Sequence, residues 1–147
     1  MKINEYTNVI AAVGAILTLV FVGYQVNQNT RVLKNQANLD LLMASFSLRA
    51  TITENKEVAT LIFKATNDYA TLEEIEQVQY QAYVSRTFDI WEHAFQLNAS
   101  GLIDQSTWQA WNGAYLPTLK YDGPREYWRR YQIDFSPEFR NYIDNNK

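Results

Sequence analysis

The chain has 147 residues, a net charge of −3 and no cysteine, which excludes a disulfide framework, thiolate metal sites and a cysteine nucleophile. Four Trp, ten Tyr and seven Phe make it too rich in packing side chains for a disordered segment. Charge is uneven, with four Lys/Arg against two acids in residues 1–50, three against nine in 51–107 and six against five in 108–147, so no stretch is basic enough to point to nucleic acid as a partner.

After a short N-terminal tail (1–8), twenty-five residues between Glu5 and Arg31 carry no formal charge. Residues 9–26 are apolar apart from Thr18, Tyr24 and Gln25. At about 1.5 Å per residue this run reaches roughly 27 Å, close to the ~30 Å hydrocarbon thickness of a bilayer. Tyr6 and Tyr24 bracket it, where amphipathic rings favour the headgroup level. A cleaved signal peptide would want a basic start and small residues at the cut site. Glu5 and the stretch "GYQVNQN" fit neither, so the expectation is an uncleaved, single-pass transmembrane helix. Orientation is close to a tie, with Lys2 and the α-amine on one side and Arg31 and Lys34 on the other.

Beyond the grease, a stripe continues at steps of three and four: Ala11, Ala15, Thr18, Val22, Val26, Thr30 or Asn29, Leu33, Ala37, Leu41, Ala44, Leu48, Ile52. Its phase is kept across the boundary, and no Gly or Pro follows Gly23 until well past residue 52. This predicts that the anchor runs on as a helical stalk over 27–52. Within the span, Ala11, Gly14, Ala15, Thr18 and Val22 form a small-residue face that lets another helix approach closely. Leu41, Leu42, Met43, Phe46 and Leu48 are too apolar to stand in water alone, and either the chain's own C-terminal helices or another copy can cover them.

Residues 53–147 read as a soluble, all-α domain of about five helices. Thr53 is the expected N-cap of the first, with Val58, Leu61, Ile62 and Ala65 facing inward. Thr71 with Glu74 forms the expected capping box of the next, burying Ile75, Val78, Ala82, Phe88, Trp91 and Phe95 and ending at Gly101. Asp104 caps a third, carrying Trp108, Trp111 and Tyr115. "YDGPREYWRRY" and "FSPEFRNYID" each place a Pro at a helix start. No alternating strand pattern of useful length occurs.

Few residues carry chemistry. His93 is the single histidine, with Asp89 four residues before it and Glu92 beside it. A bundle di-metal centre needs Glu-x-x-His units, and Ile90 stands where the Glu would be. An Asp89–His93 hydrogen bond in a partly buried helix is the expected role. There is no Gly-x-Ser-x-Gly and no Gly-rich phosphate loop. Hence no catalytic, metal or cofactor residue is expected. One cluster offers a possible interaction surface: Trp108, Trp111, Tyr127 and Trp128 alongside Arg125, Arg129 and Arg130, residue types that dominate binding hot spots. Core packing, and pairing of Arg129 and Arg130 with Glu126 or Asp134, is the alternative use of the same residues.

The anchor running into "YQVNQNTRVLKNQA", then "GLIDQSTWQAW", then "GPREYWRRYQIDFSPEFRNYID", resembles a widespread family of small, uncharacterised bacterial single-pass membrane proteins. They share a Tyr-x-x-Gln-x-x-Gln-Asn-Thr-Arg-like stretch, matched here by Gln25, Gln28, Asn29, Thr30 and Arg31, and a Ser-Pro-Glu-Phe element. The resemblance covers most of the chain and implies a bacterial inner-membrane protein with its C-terminal domain in the cytoplasm. It implies no activity.

The functional expectation is a non-enzymatic membrane protein acting through helix–helix assembly. Its partners are the lipid bilayer and either itself or other membrane-protein subunits. The alternative is a membrane-tethered sensor or ligand-binding module using the aromatic/Arg cluster.

Overall fold

The computed structural model describes residues 2–147, with side chains described for Asn8 and residues 10–147. About nine-tenths of the chain is helical, and no strand occurs among the described residues. Six α-helices follow in order: α1 (Lys2–Thr53), α2 (Lys56–Asn67), α3 (Glu74–Ala99), α4 (Gln105–Tyr115), α5 (Asp122–Tyr131) and α6 (Pro137–Asn146). Three 3-10 turns, Tyr69–Thr71, Leu116–Lys120 and Gln132–Asp134, tighten the connections.

The chain divides into two units, Met1–Gln36 and Ala37–Lys147. In the first, every residue of α1 from Ile10 onward is exposed. The second is organised around the aromatic faces of α3, α5 and α6. Phe88, 1% exposed, has Trp91, Tyr127, Trp128 and Phe135 around it, with ring centroids 5.2 to 5.8 Å away. Phe139 meets Trp91 edge to face at 5.2 Å. Such pairs each add about 0.5–1.5 kcal/mol beyond their area burial. The buried Trp91 indole N–H donates to Asn112 Oδ1 at 3.1 Å, so α4 satisfies the polar atom that α3 takes out of water.

The final turns of α1 belong to this core. Ala37, Leu41, Ser45 and Leu48 are buried and Ala44 and Ile52 are half-buried, at the three-and-four spacing of one helix face. Thus the lower part of the expected stalk is covered by the chain's own helices. Leu42, Met43 and Phe46, on other faces of the same helix, stay exposed.

Helix ends differ in three places from what the sequence predicts. Thr53 is the last residue of α1, its Oγ1 donating back to the Arg49 and Ala50 carbonyls, and Asn55 caps α2 instead by accepting from the Glu57 and Val58 amides. Thr71 lies in a 3-10 turn, so the box at the start of α3 shifts two residues, to Glu73 and Glu76, with the Glu73 amide donating to Glu76 Oε2 at 2.8 Å. The cause is Leu72: it is buried, and its amide is spent on the Tyr69 carbonyl, which delays the helix. Pro124 is the third residue of α5 rather than its first, because Asp122 already opens the helix; Asp122 Oδ2 accepts the Tyr69 amide at 2.8 Å.

The buried face of α3 is Tyr80, Val84, Phe88, Trp91, Ala94 and Leu97, with Phe95 half-buried. Ile75, Val78 and Ala82, expected inside, are exposed. Six residues turn a helix by about 600°, so Ala82 sits roughly 120° from the face of Phe88. Tyr80 and Val84 continue that face towards the start of the helix.

The C-terminus of α3 is as expected. Gly101 has φ +71°, the Leu102 amide donates to the Leu97 carbonyl and the Gly101 amide to that of Asn98. Those two bonds form a Schellman motif.

Candidate functional site

Three groups of residues carry the functional expectations, and the structure treats them differently. The small-residue face of α1 is intact: Ala11, Gly14, Ala15, Thr18 and Val22 are all exposed, and a Cβ added at Gly14 would meet nothing within 4 Å. Thr18 Oγ1 donates to the Gly14 carbonyl at 2.9 Å, so its hydroxyl is spent within the helix. At the C-terminal end of the apolar run, Tyr24 OH accepts from Gln28 Nε2 at 2.6 Å. Long apolar side chains between the small ones, among them Ile16, Leu17, Leu19, Val20 and Phe21, are 59 to 72% exposed. The helix is long and apolar enough to cross a membrane, and none of its apolar window is buried within the chain.

The aromatic/Arg cluster separates into interior and surface. Trp108, Tyr127 and Trp128 are buried in the core, and Trp111 is half-buried with its ring stacked on Tyr115 at 6.0 Å. Burial pushes the Tyr127 hydroxyl up to about 12. Arg125, Arg129 and Arg130 are exposed. Glu126 accepts from Arg129 at 2.8 and 2.7 Å and from Arg130 as well, and these bonds hold its carboxyl at about 2, far below the usual range. Arg125 pairs with Asp122 at 2.7 Å. The Arg130 guanidinium also lies 5.2 Å from the ring centroid of Tyr69.

Asp89, Glu92 and His93 do not converge. Asp89 and His93 are exposed and share no hydrogen bond among the described residues, contrary to the expected pairing. Partial burial, with the Glu92 carboxylate nearby, raises Asp89. Glu92 turns away to α6, where its Oε1 accepts from the Ser136 amide at 2.8 Å and the Ser136 hydroxyl at 2.6 Å. Among the described residues no group of three or more His, Asp or Glu is placed to hold a metal ion.

One feature escaped sequence reading. The Leu116–Lys120 turn, α5 and the end of α6 enclose a groove of about 660 Å³ whose walls include Leu116, Leu119, Trp128, Lys120, Arg125 and Arg129. The signal is present as "LPTLKYDGPREYWRR", where two leucines are followed by four cations within fifteen residues. Only folding shows that they share one wall.

Compared with known proteins, the chain matches no family model, no curated protein and no solved structure.

Proposed function

We propose that this is a single-pass protein of the bacterial inner membrane that acts without catalysis, by helix–helix assembly, either with itself or as an accessory subunit of a membrane complex. The observation that carries the reading is the complete exposure of the apolar window of α1. A helix of similar composition in the core of a soluble protein would be covered by its own chain. This one leaves Ile10, Leu17, Leu19 and Val20 more than 60% exposed, a surface that lipid or other helices must cover.

Two further features support assembly over simple tethering. Gly14, Ala15 and Thr18 leave room for a second helix backbone, which is how helices associate where no hydrophobic drive exists between them. Leu39, Met43 and Phe46, 54 to 66% exposed, leave further apolar side chains uncovered past the end of the span. The family resemblance supports a cytoplasmic C-terminal domain, while Lys2 against Arg31 and Lys34 leaves the charge balance close to even.

The test is association of the full chain in bilayers, read by energy transfer between labelled copies and by co-purification. Replacing Ala15 and Thr18 with Leu is expected to weaken association without changing membrane insertion. Unchanged association in that variant, and in a Met43→Glu, Phe46→Glu variant, would sink the reading.

A further inference from the structure

We propose that the groove between the Leu116–Lys120 turn, α5 and the end of α6 binds an amphipathic anion, an acyl chain carrying one anionic group. This inference is independent of helix assembly. The groove's volume of about 660 Å³ lies within the range of small-molecule sites, roughly 300–1,000 Å³. Its floor is apolar, with Leu119 and the Trp128 indole buried beneath and Leu116 half-buried beside them. Its rim is cationic: the side chains of Lys120, Arg125, Arg129 and Lys147 line it, with Glu126 as the one acidic side chain among them.

The acids nearby do not cancel this charge. Glu126 is shared by Arg129 and Arg130, which leaves that trio at a net positive charge. Asp122 holds Arg125, and Asp144 holds Lys147 at 2.6 Å. Lys120 has no carboxylate within ion-pair distance among the described residues; its ammonium stands 4.9 Å from the ring centroid of Tyr121. An occupant that satisfies both parts must bring an apolar body for the leucines and the indole and a negative end for Lys120. A neutral hydrocarbon leaves the cations unmatched, and a free inorganic anion leaves the floor wet. A free carboxylic acid and an anionic phospholipid share the required chemistry.

The experiment uses the full chain in phosphatidylcholine vesicles and 8-bromooctanoate, whose bromine quenches tryptophan fluorescence on contact. Trp128 is the tryptophan in the groove wall. Saturable quenching is expected, with 8-bromooctan-1-ol at least roughly five-fold weaker. Lys120→Glu, at an exposed site, should weaken the carboxylate by a similar factor and leave the alcohol unchanged, whereas Lys56→Glu on α2 should change neither. Short-chain phosphatidylglycerol then separates the two sources. Displacement of the bromo acid, with no displacement by short-chain phosphatidylcholine, assigns the groove to an anionic phospholipid; no displacement by either assigns it to a free acid. Quenching that does not saturate, equal affinity for acid and alcohol, or indifference to Lys120→Glu would overturn the proposal.

Discussion

Glu92 on α3 accepts both the amide and the hydroxyl of Ser136, the residue that opens α6, at 2.8 and 2.6 Å. Ser136 stands at the N-cap position, yet its side chain does not cap its own helix. Instead a carboxylate forty-four residues earlier sits at that helix's N-terminus, where a negative charge is favoured, and fixes α6 against α3. Glu92→Ala is expected to cost about 2–3 kcal/mol, because it removes two hydrogen bonds to a charged acceptor. Glu92→Gln keeps an acceptor and should cost about 1 kcal/mol. Thermal melts of the two variants check the order: no loss in Glu92→Gln would contradict the role given to charge, and equal losses would contradict the role given to the neutral acceptor.

The glycines make a second test, since the same substitution should have opposite signs at different sites. At Gly123 an added Cβ would lie 2.4 Å from Tyr80 OH and 2.6 Å from the Ala65 carbonyl, so Gly123→Ala must push α5 off α2 and α3, at about 1–3 kcal/mol. At Gly101 the penalty comes from φ +71° and is about 1 kcal/mol. Gly113, exposed within α4 with open space around it, should gain about 0.5–1 kcal/mol on substitution by Ala. Chemical denaturation of the three variants reads all three signs.

Glu126 sets a pH dependence with a definite window. Hydrogen bonds from Arg129, then Arg130, bring its carboxyl from 4.5 to about 2 in the folded chain. Between those values the unfolded chain binds more protons, so the contribution is complete above about 4.5 and fades as the pH falls towards 2. Both arginines are substantially exposed, so solvent screening limits the effect to about 1 kcal/mol. Glu126→Gln should lie below the native protein by that amount at pH 7 and converge with it near pH 2. A constant gap across the acid limb would show that the loss is packing rather than charge.

Much of this architecture was legible in the sequence, and the reasons for the gaps are physical. The continuous stripe from Ala11 to Ile52 predicts one unbroken α1, and α1 does run to Thr53, since nothing in the amide-rich neck breaks a helix. Asp104, Gly101 and Pro137 mark their helix ends correctly because each acts through its own backbone neighbourhood. The entry face of α3 departs from its sequence pattern, in which Ile75 and Val78 look like core and Tyr80 looks like surface. Tertiary packing buries the Tyr80 ring against that of Tyr69, 5.8 Å away, and leaves the aliphatic pair outside. The link from Glu92 to Ser136 spans too much sequence for any local pattern to reveal. In the aromatic/Arg stretch the residue types were visible, but the division into buried rings and exposed guanidinium groups depends on the phase of α5 against α3.

The absence of cysteine makes topology directly measurable. With the C-terminal domain in the cytoplasm, Asn8→Cys should react with a membrane-impermeant maleimide on intact cells, and Asn141→Cys should react only after lysis. The reverse pattern would place the domain on the outer side, and labelling of both on intact cells would exclude a single span of one fixed orientation.

The central claim is assembly in a membrane, and the native mass of the full-length protein tests it most directly. The protein would be extracted from its own membranes with minimal detergent and identified by mass spectrometry. The account predicts recovery in the membrane fraction as a discrete multiple of 17.1 kDa or in a fixed ratio with other polypeptides. A lone 17.1 kDa species, or recovery in the soluble fraction without detergent, would contradict it.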